Sequence, residues 1–556
     1  MRSAPAVKFI SPYRHGTELN QVEKWKLERH PLDVAESIIN DYSKKGSKAI
    51  DAVPGEQERL KWVGIYPQRQ GGNAFMMRIK LPGGRLNSEQ AIEIGNVASK
   101  FARGPEHPIF KSAYCDITTR QAIQLHWIRI EDVPEIWSRF ESVGMTTIQA
   151  CGDSARNVLS CPAAGIDADE AFDSTQVVNE ISEFFTGNRE YANLPRKFKL
   201  SVTGCRDDCA QGEINDIGLW PARLEDGTLG FNLLVGGGLS DGPRMASDVD
   251  VFVEPKEAVE LTRAVAQLFG ELGNRENRGL SRMRYLVEEM GPEEFRSELV
   301  KRSQVELRQA GTHLTRRYRG DHIGLHPQKQ PGLSYLGVSV TVGRLIAEEL
   351  IEIGRLAKVY GDGDIRLTTD QNFVLSGIAN EKVESLLQEE LLEKHSPFPG
   401  PFTRGAIACT GSEFCRFAVV ETKERIIQWA KHLDDQFGKR LGPVDSSSVV
   451  RMHFSGCPAS CAQPQIADIG FRGDTAHQGD QIVEAVDIGL GGSLGGDAGF
   501  IDWIKGAFPV EDVPSALLRV IERYLIEKKP DERLSTWARR TSTESLAKTL
   551  LPKEED

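Results

Sequence analysis

The run Phe75-Met-Met-Arg-Ile-Lys-Leu81 is rich in β-forming residues and stops at Pro82-Gly-Gly84. Asn87 or Ser88 can then cap a helix whose apolar stripe is Ala91, Ile94, Val97, Ala98 and Phe101. Residues 114–128 read as strand again. The same order returns in the second half of the chain, with a strand over Tyr335–Val342, a helix over 344–357 and strands over 364–377. Each half therefore opens with a small sheet-plus-helix unit. From Ala258 to about Arg302, Leu261, Val265, Leu268 and Phe269 recur at helical spacing in a charged segment that reads as a bridge between halves. Ala516 to Leu551 is helical before a short acidic tail.

The recurrence extends to individual residues. Gly64-Ile-Tyr-Pro-Gln-Arg-Gln70 returns as Gly324-Leu-His-Pro-Gln-Lys-Gln330, Ile92-Glu-Ile-Gly95 as Ile351-Glu-Ile-Gly354, and Thr118-Thr-Arg-Gln121 as Thr368-Thr-Asp-Gln371. Thr203-Gly-Cys-Arg-Asp-Asp-Cys-Ala-Gln211 with Ile214-Asn-Asp-Ile-Gly218 returns as Ser455-Gly-Cys-Pro-Ala-Ser-Cys-Ala-Gln463 with Ile466-Ala-Asp-Ile-Gly470, both at an offset of 252 residues. An ordered series of this kind is hard to explain without internal duplication.

Composition narrows the class. At roughly 150 residues per domain, 556 residues hold three or four compact units. With 40% hydrophobic and 27% charged residues the chain is globular, able to bury a large core. A formal charge of −12 argues against a general polyanion binder, so no nucleic-acid partner is expected and any anion site must be a local basic pocket. The N-terminal residues lack the apolar core of a signal peptide, and no run approaches the roughly 18 apolar residues of a membrane span. A cytoplasmic location without membrane contact is the expectation. In a reducing compartment, nine cysteines are ligands or core residues before they are disulfides.

Four of them cluster. Cys409 and Cys415 have five residues between them, and Cys457 and Cys461 have three. Four soft thiolates can hold an iron–sulfur cluster or a tetrahedral zinc, or they can be unconnected core residues. The five-residue gap suits structural zinc poorly, and spacing alone leaves all three open.

The local sequences add a resemblance. Ala408-Cys-Thr-Gly-Ser-Glu-Phe-Cys415 leading into Glu421-Thr-Lys423, then Gly456-Cys-Pro-Ala-Ser-Cys461 and Ile466-Ala-Asp-Ile-Gly-Phe471, closely resembles the sirohaem and [4Fe–4S] family of nitrite and sulfite reductases. The likeness runs from about residue 18 to 545 and includes the duplication. It implies that Cys409, Cys415, Cys457 and Cys461 bind the cluster and that Cys461 is also the axial ligand of sirohaem iron, a shared thiolate that carries electrons. In the first half Cys205 and Cys209 sit where the repeat predicts, but Cys151 and Cys161 have nine residues between them. These are expected to be relic or packing cysteines, and Cys115 a core residue.

Sirohaem carries eight carboxylates and the family's substrates are small oxyanions, so both demand inward-facing Arg and Lys. In a strand, residues two apart share a face, so Lys197 and Lys199 can point at one ligand while Phe198 packs behind. Taken alone, a Lys-x-Lys is a solvated edge strand. Its setting between Leu194-Pro-Arg and Val202-Thr-Gly resembles the family instead. By that matching Arg78, Arg156, Lys197 and Lys199 are the substrate-binding four, and Arg120, Gln121 and Arg69 contact sirohaem. The cage would bind the anion and donate protons. Val235-Gly-Gly-Gly238 and Leu490-Gly-Gly-Ser-Leu-Gly-Gly496 allow close backbone approach, without the Lys-Ser/Thr ending of a phosphate loop. His126, His326 and His453 lack triad spacing and are expected to be structural.

The resulting expectation is a mixed α/β, internally duplicated enzyme, with two ferredoxin-like half-domains pairing and two larger α/β domains around sirohaem. The expected units are an N-terminal extension (1–58), a first half-domain (59–145), an α/β domain with the anion-binding residues and helical bridge (146–318), a second half-domain (319–395), and an α/β domain with the [4Fe–4S] cysteines (396–556). No nicotinamide or flavin fingerprint precedes a helix, so electrons come from a partner, by resemblance ferredoxin. By the resemblance, Lys at position 199 and Ala150-Cys-Gly-Asp153 are sulfite-like, and the extra cation at Lys199 suits sulfite's charge, so sulfite reduced to sulfide is the expectation. Nitrite reduced to ammonia is the alternative, and a non-catalytic metal-binding protein is the remote one.

Overall fold

The computed structural model describes residues 18–316, 320–442 and 448–551. The first residues of the chain and the acidic tail, on which the leader and tail readings fall, lie outside these.

The strand Phe75–Ile79 buries Phe75, Met77 and Ile79 on one face and leaves Met76 and Arg78 on the other. Its sheet runs in the order Ile65–Pro67, Phe75–Ile79, Ile123–Ile128, Lys111–Ile117, and then takes its last strand, Arg344–Ile346, from the second half. The second sheet runs Gly324–Pro327, Leu333–Val338, Phe373–Ala379, Asp364–Leu367, and ends on Arg85–Asn87 from the first half. The sequence pattern places Arg344–Ile346 inside a helix. They are extended because they pair antiparallel with Tyr114–Asp116, a long-range ladder that overrides local helix preference. The helix therefore begins at Ala347 and ends at Tyr360.

Its counterpart, Ser88–Phe101, is capped as expected: Asn87 accepts from the Gln90 amide and Gln90 accepts from the Asn87 amide. The two helices cross at paired glycines. A Cβ on Gly95 would lie 2.5 Å from Ile351 Cγ1 and 2.8 Å from the Ala347 carbonyl, and one on Gly354 would lie 2.7 Å from Ile92 Cγ1. The repeated Ile-Glu-Ile-Gly is thus the contact itself, each isoleucine filling the space over the opposite glycine. One apolar core passes through both units, joining Ile79, Ile94 and Leu125 to Leu336, Ile353 and Leu375.

Each larger unit is a mixed sheet with a parallel edge. In the second half Ala406–Ala408, Met452–Ser455 and Ile469–Gln478 run parallel, followed by two antiparallel strands. In the first half Leu200–Val202 is parallel to Ile217–Arg223, and the parallel bridges Ala155 to Phe198 and Leu159 to Ser201 stand where the outer strand would be. Both Cys-x3-Cys loops leave the carboxyl end of a parallel strand, where open α/β sheets bind ligands. The glycine runs pack against the turns after those loops: a Cβ on Gly237 would lie 2.5 Å from the Glu213 carbonyl, and one on Gly492 would lie 2.5 Å from that of Gln465. The bridge is two helices, Ala258–Leu272 and Met283–Val300, the second kinked at Gly291-Pro292. The C-terminal segment is three helices, Val513–Glu527, Leu534–Arg540 and Thr543–Leu550. Among the described residues no helix is long and apolar enough to cross a membrane.

A buried ionic network ties the halves. Asp116 accepts from Arg344 at 2.8 and 3.2 Å, lies 3.0 Å from His126 Nε2 and 3.6 Å from Lys423 Nζ, while Arg344 reaches Glu413 at 2.6 Å. Burial alone would raise the Asp116 pKa, but Arg344 and Lys423 hold it well below the usual range. Glu413 lies between Cys409 and Cys415, so the network also fixes that loop. Removing one partner leaves buried charge uncompensated. Arg344→Met is expected to cost about 3–5 kcal/mol in urea unfolding, whereas Lys45→Met, at an exposed ion pair with Asp41, should cost less than about 1 kcal/mol. Equal costs for the two variants would remove this network from the account of stability.

Candidate active site

Phe198 is fully buried in the core and Lys197 and Lys199 are on the opposite face, as the alternation requires. Among the described residues neither ammonium has a hydrogen-bond or ion-pair partner. Burial pushes the Lys197 pKa down to about 7, with Arg282 and Arg196 adding to the effect. Burial, then Arg282, Arg120 and Lys197, holds Lys199 well below the ordinary lysine value. Lys80 is likewise pushed down to about 7 by burial and Arg156.

Arg78, set by strand alternation, donates 3.0 Å bonds to Cys151 Sγ and Gln124 Oε1 and lies over the Tyr66 ring. Arg156 gives Nε to the Ala150 carbonyl at 3.0 Å. Arg120 bonds Asn215 and the Asn157 carbonyl at 2.9 and 2.7 Å, and burial with Arg156 lowers its pKa to about 9. The Nε atoms of Arg78 and Arg120 are buried with no protein acceptor. Cys461 is exposed and lies within electrostatic range of both Arg78 and Lys197. The site is therefore a concentration of partly desolvated cations with too few counter-charges, facing a thiol. Its chemistry calls for an anionic occupant.

Cys409, Cys415 and Cys457 are partly exposed and within electrostatic range of Cys461, so the four thiols share one neighbourhood. The amides of Gly411 and Gly456 point at Cys409 Sγ at 3.4 and 3.2 Å. The four do not draw together as the ligands of a single ion would, which suits a cubane that holds its thiolates well apart, and the carboxylate-rich sirohaem suits the cations beside them.

Two further residues expected at sirohaem, Gln121 and Arg69, bond groups of the protein itself. Gln121 is fully buried: its amide donates to the Ser160 and Leu367 carbonyls and its Oε1 accepts from the Ser160 amide. It is a cross-brace between halves, mirrored by Gln371 bonding Ile117 and Ala408. Arg69 is exposed and donates to the Ala418 carbonyl at 2.7 Å, bracing the Cys415 loop. His326 and His453 bond the backbone at 3.0 and 2.9 Å as structural residues do. His126 is structural too, though it does have a carboxylate beside it, Asp116.

Sequence reading missed Arg282, which reaches both oxygens of buried Asp216 at 3.1 Å while repelling Lys197 and Lys199. It enters from the helical bridge, with no motif to mark it. Asp153 was legible only as part of a motif, yet it anchors Lys26, Arg196 and Arg278 and so pins the N-terminal helix Gln21–Glu28 to the loop before Arg156.

A duplicated fold that brings a cationic cage from one half against four thiols from the other defines a redox enzyme acting on a small anion. The chain belongs to the nitrite and sulphite reductase family, whose members hold sirohaem and a [4Fe–4S] cluster. The family's 4Fe-4S domain matches residues 151–307 and 400–555, and its ferredoxin-like half domain matches 66–143 and 326–392. The chain is 39% identical to the assimilatory ferredoxin-dependent nitrite reductase of Haloferax mediterranei, over 96% of this chain and 94% of that one. It is 40% identical to the ferredoxin–nitrite reductase of Synechococcus elongatus, over 91% and 97%. The solved structure of the Mycobacterium tuberculosis NirA protein superposes with a TM-score of 0.88 at 31% identity, covering 95% of this chain and 98% of that one.

A lysine that has a pKa near 7 gives up its proton readily, and a bound anion raises that pKa. If Lys197 is the donor, turnover falls as pH rises through a value above 7, because the acid must hold its proton to deliver it. Lys197→Arg should move this alkaline limb upward, and Lys197→Met should lower turnover by roughly a hundredfold with the sirohaem spectrum retained. An unchanged limb and rate would remove Lys197 from the role of proton donor.

Proposed function

We propose that this chain reduces nitrite to ammonia in a six-electron reaction, with reduced ferredoxin as electron donor. The observation that carries the reading is the buried Lys197 and Lys199 ammoniums without partners, with Lys197 and Arg78 in range of the Cys461 thiol, joined to relatives named for nitrite and ferredoxin. Sirohaem coupled to a [4Fe–4S] cluster would supply the electrons for the bound oxyanion. In this reading Cys409, Cys415, Cys457 and Cys461 hold the cluster, and Cys461 also serves sirohaem. Arg78, Arg156, Lys197 and Lys199 bind and orient the anion. Lys197 holds a proton at Nζ for the oxygen that leaves as water, and Arg120 neutralises charge behind it.

Sulfite is the second reading, favoured by Lys199. Its ammonium adds a cation without a partner, and sulfite carries up to two charges on three oxygens against one charge on two for nitrite. The relatives' names weigh the other way. Steady-state reduction of both anions decides. Nitrite should have the higher kcat/KM, and Lys199→Asn should lower the sulfite-to-nitrite ratio by about tenfold, or about 1.4 kcal/mol of discrimination. A strong wild-type preference for sulfite would overturn the nitrite reading.

The ligand set has its own test. Wild-type enzyme should contain about five irons per chain, four from the cluster and one from sirohaem. Cys461→Ser should lose or uncouple both cofactors, seen as loss of iron and collapse of the visible spectrum. A full iron complement and unaltered spectrum in that variant would exclude Cys461 as the shared ligand.

A further inference from the structure

The first half repeats the Cys-x3-Cys loop but closes it differently. Cys205 and Cys209 are joined by Cys161 and by His322, and the four ligand atoms all lie within 4.8 Å of one another. All four residues are buried, between 3% and 7% exposed. Cys161 Sγ lies 3.3 Å from His322 Nε2. We propose that these residues hold a single zinc ion in a tetrahedral site of three thiolates and one imidazole.

The geometry selects one ion over a cluster. Bonds of about 2.3 Å to sulfur and about 2.0 Å to nitrogen place tetrahedral ligand atoms roughly 3.5–3.8 Å apart, within the observed span. A cubane would have to insert irons and sulfides between thiols already this close. Among the described residues no other group of His, Cys, Asp and Glu closes so tightly, and Cys409, Cys415, Cys457 and Cys461 do not. The donor set selects the metal: three soft thiolates and an imidazole in a closed, dry site are those of structural zinc.

The surroundings are those of a ligand shell. Tyr335 Oη lies 3.2 Å from His322 Nδ1, which fixes the ring with Nε2 toward the thiols. The amides of Ala163 and Asp207 point at Cys161 Sγ and Cys205 Sγ, both at 3.3 Å, and offset thiolate charge. Thr369 donates to the Cys209 carbonyl at 2.8 Å. Tyr335 and Thr369 belong to the second half, as does His322 just before the strand Gly324–Pro327. The ion would therefore staple the first α/β unit to the second ferredoxin-like sheet. Binding is redox-neutral and releases the thiol protons to solvent.

Elemental analysis of purified holoenzyme tests this. About one zinc per chain is expected beside the iron, and X-ray absorption at the zinc edge should fit three sulfurs and one nitrogen. Cys209→Ser and His322→Ala should each reduce zinc by roughly tenfold or more while iron and the sirohaem bands hold. Wild-type protein with less than about a tenth of a zinc per chain would overturn the site, as would a second cluster, read as extra iron lost in Cys209→Ser. If the variants do not accumulate as folded protein, the wild-type zinc content and edge spectrum decide alone.

Discussion

The structure rests on an exchange of short strands across a pseudo-two-fold axis. Arg344–Ile346 completes the first ferredoxin-like sheet and Arg85–Asn87 completes the second, so neither sheet is finished by its own half. Close helix packing at Gly95 and Gly354 holds the exchange in register. At the centre Gln463 donates to Gln211 at 2.5 Å, two residues related by the repeat, both in left-handed backbone. The active site depends on this arrangement because its parts are divided: the cations come from the first half and the thiols from the second. Separate halves would have an unoccupied cage and an unprotected set of cysteines.

The cage is expensive to build. Lys197, Lys199, Arg120 and Arg282 repel one another in partly desolvated surroundings and Arg156 repels Lys80, so burial and this repulsion together lower the pKa values of the three lysines. Such strain persists only where the surrounding fold over-determines it. Here the restraint is visible. Asp216 holds Arg282 and the Lys199 amide, and Asp153 holds Lys26, Arg196 and Arg278. Each buried carboxylate sits one layer behind the cations, so it fixes them without neutralising the face they present. An anionic occupant then supplies the missing charge, which gives the site affinity for oxyanions.

What could be read from sequence was whatever is local or repeated. The duplication, the Asn87 cap, the Lys197-Phe198-Lys199 alternation and the Cys-x5-Cys and Cys-x3-Cys spacings all lie within short windows. What could not be read is what the pairing of halves creates. Arg344–Ile346 has the pattern of a helix start and becomes a strand because a partner lies 228 positions away at Asp116. Gln121 lies in a motif that resembles a cofactor contact, yet its amide is consumed by backbone groups of both halves. Arg282 carries no spacing signal because it arrives from a bridge helix. His322 and Cys161 were invisible as ligands for the same reason, since nothing in the chain between them marks their meeting.

The two Cys-x3-Cys loops show how duplication separates constraint from function. Both follow a parallel strand, both place residues with positive φ at the same positions (Asp208 and Ser460, Gln211 and Gln463), and both receive a threonine from the opposite half, Thr369 to the Cys209 carbonyl and Thr119 to that of Cys461. The backbone is the same device built twice. The difference lies in what faces it. Cys461 is exposed and in range of Arg78 and Lys197 from the other half, whereas His322 and Tyr335 pack against Cys161, Cys205 and Cys209 in a buried cluster with no room for a large cofactor. Because the loop's shape is fixed by the strand before it and the glutamine contact after it, its cysteines could be retained while their surroundings changed. One copy leaves its cysteines at least partly exposed; the other buries them, where only a small ion or packing can satisfy them.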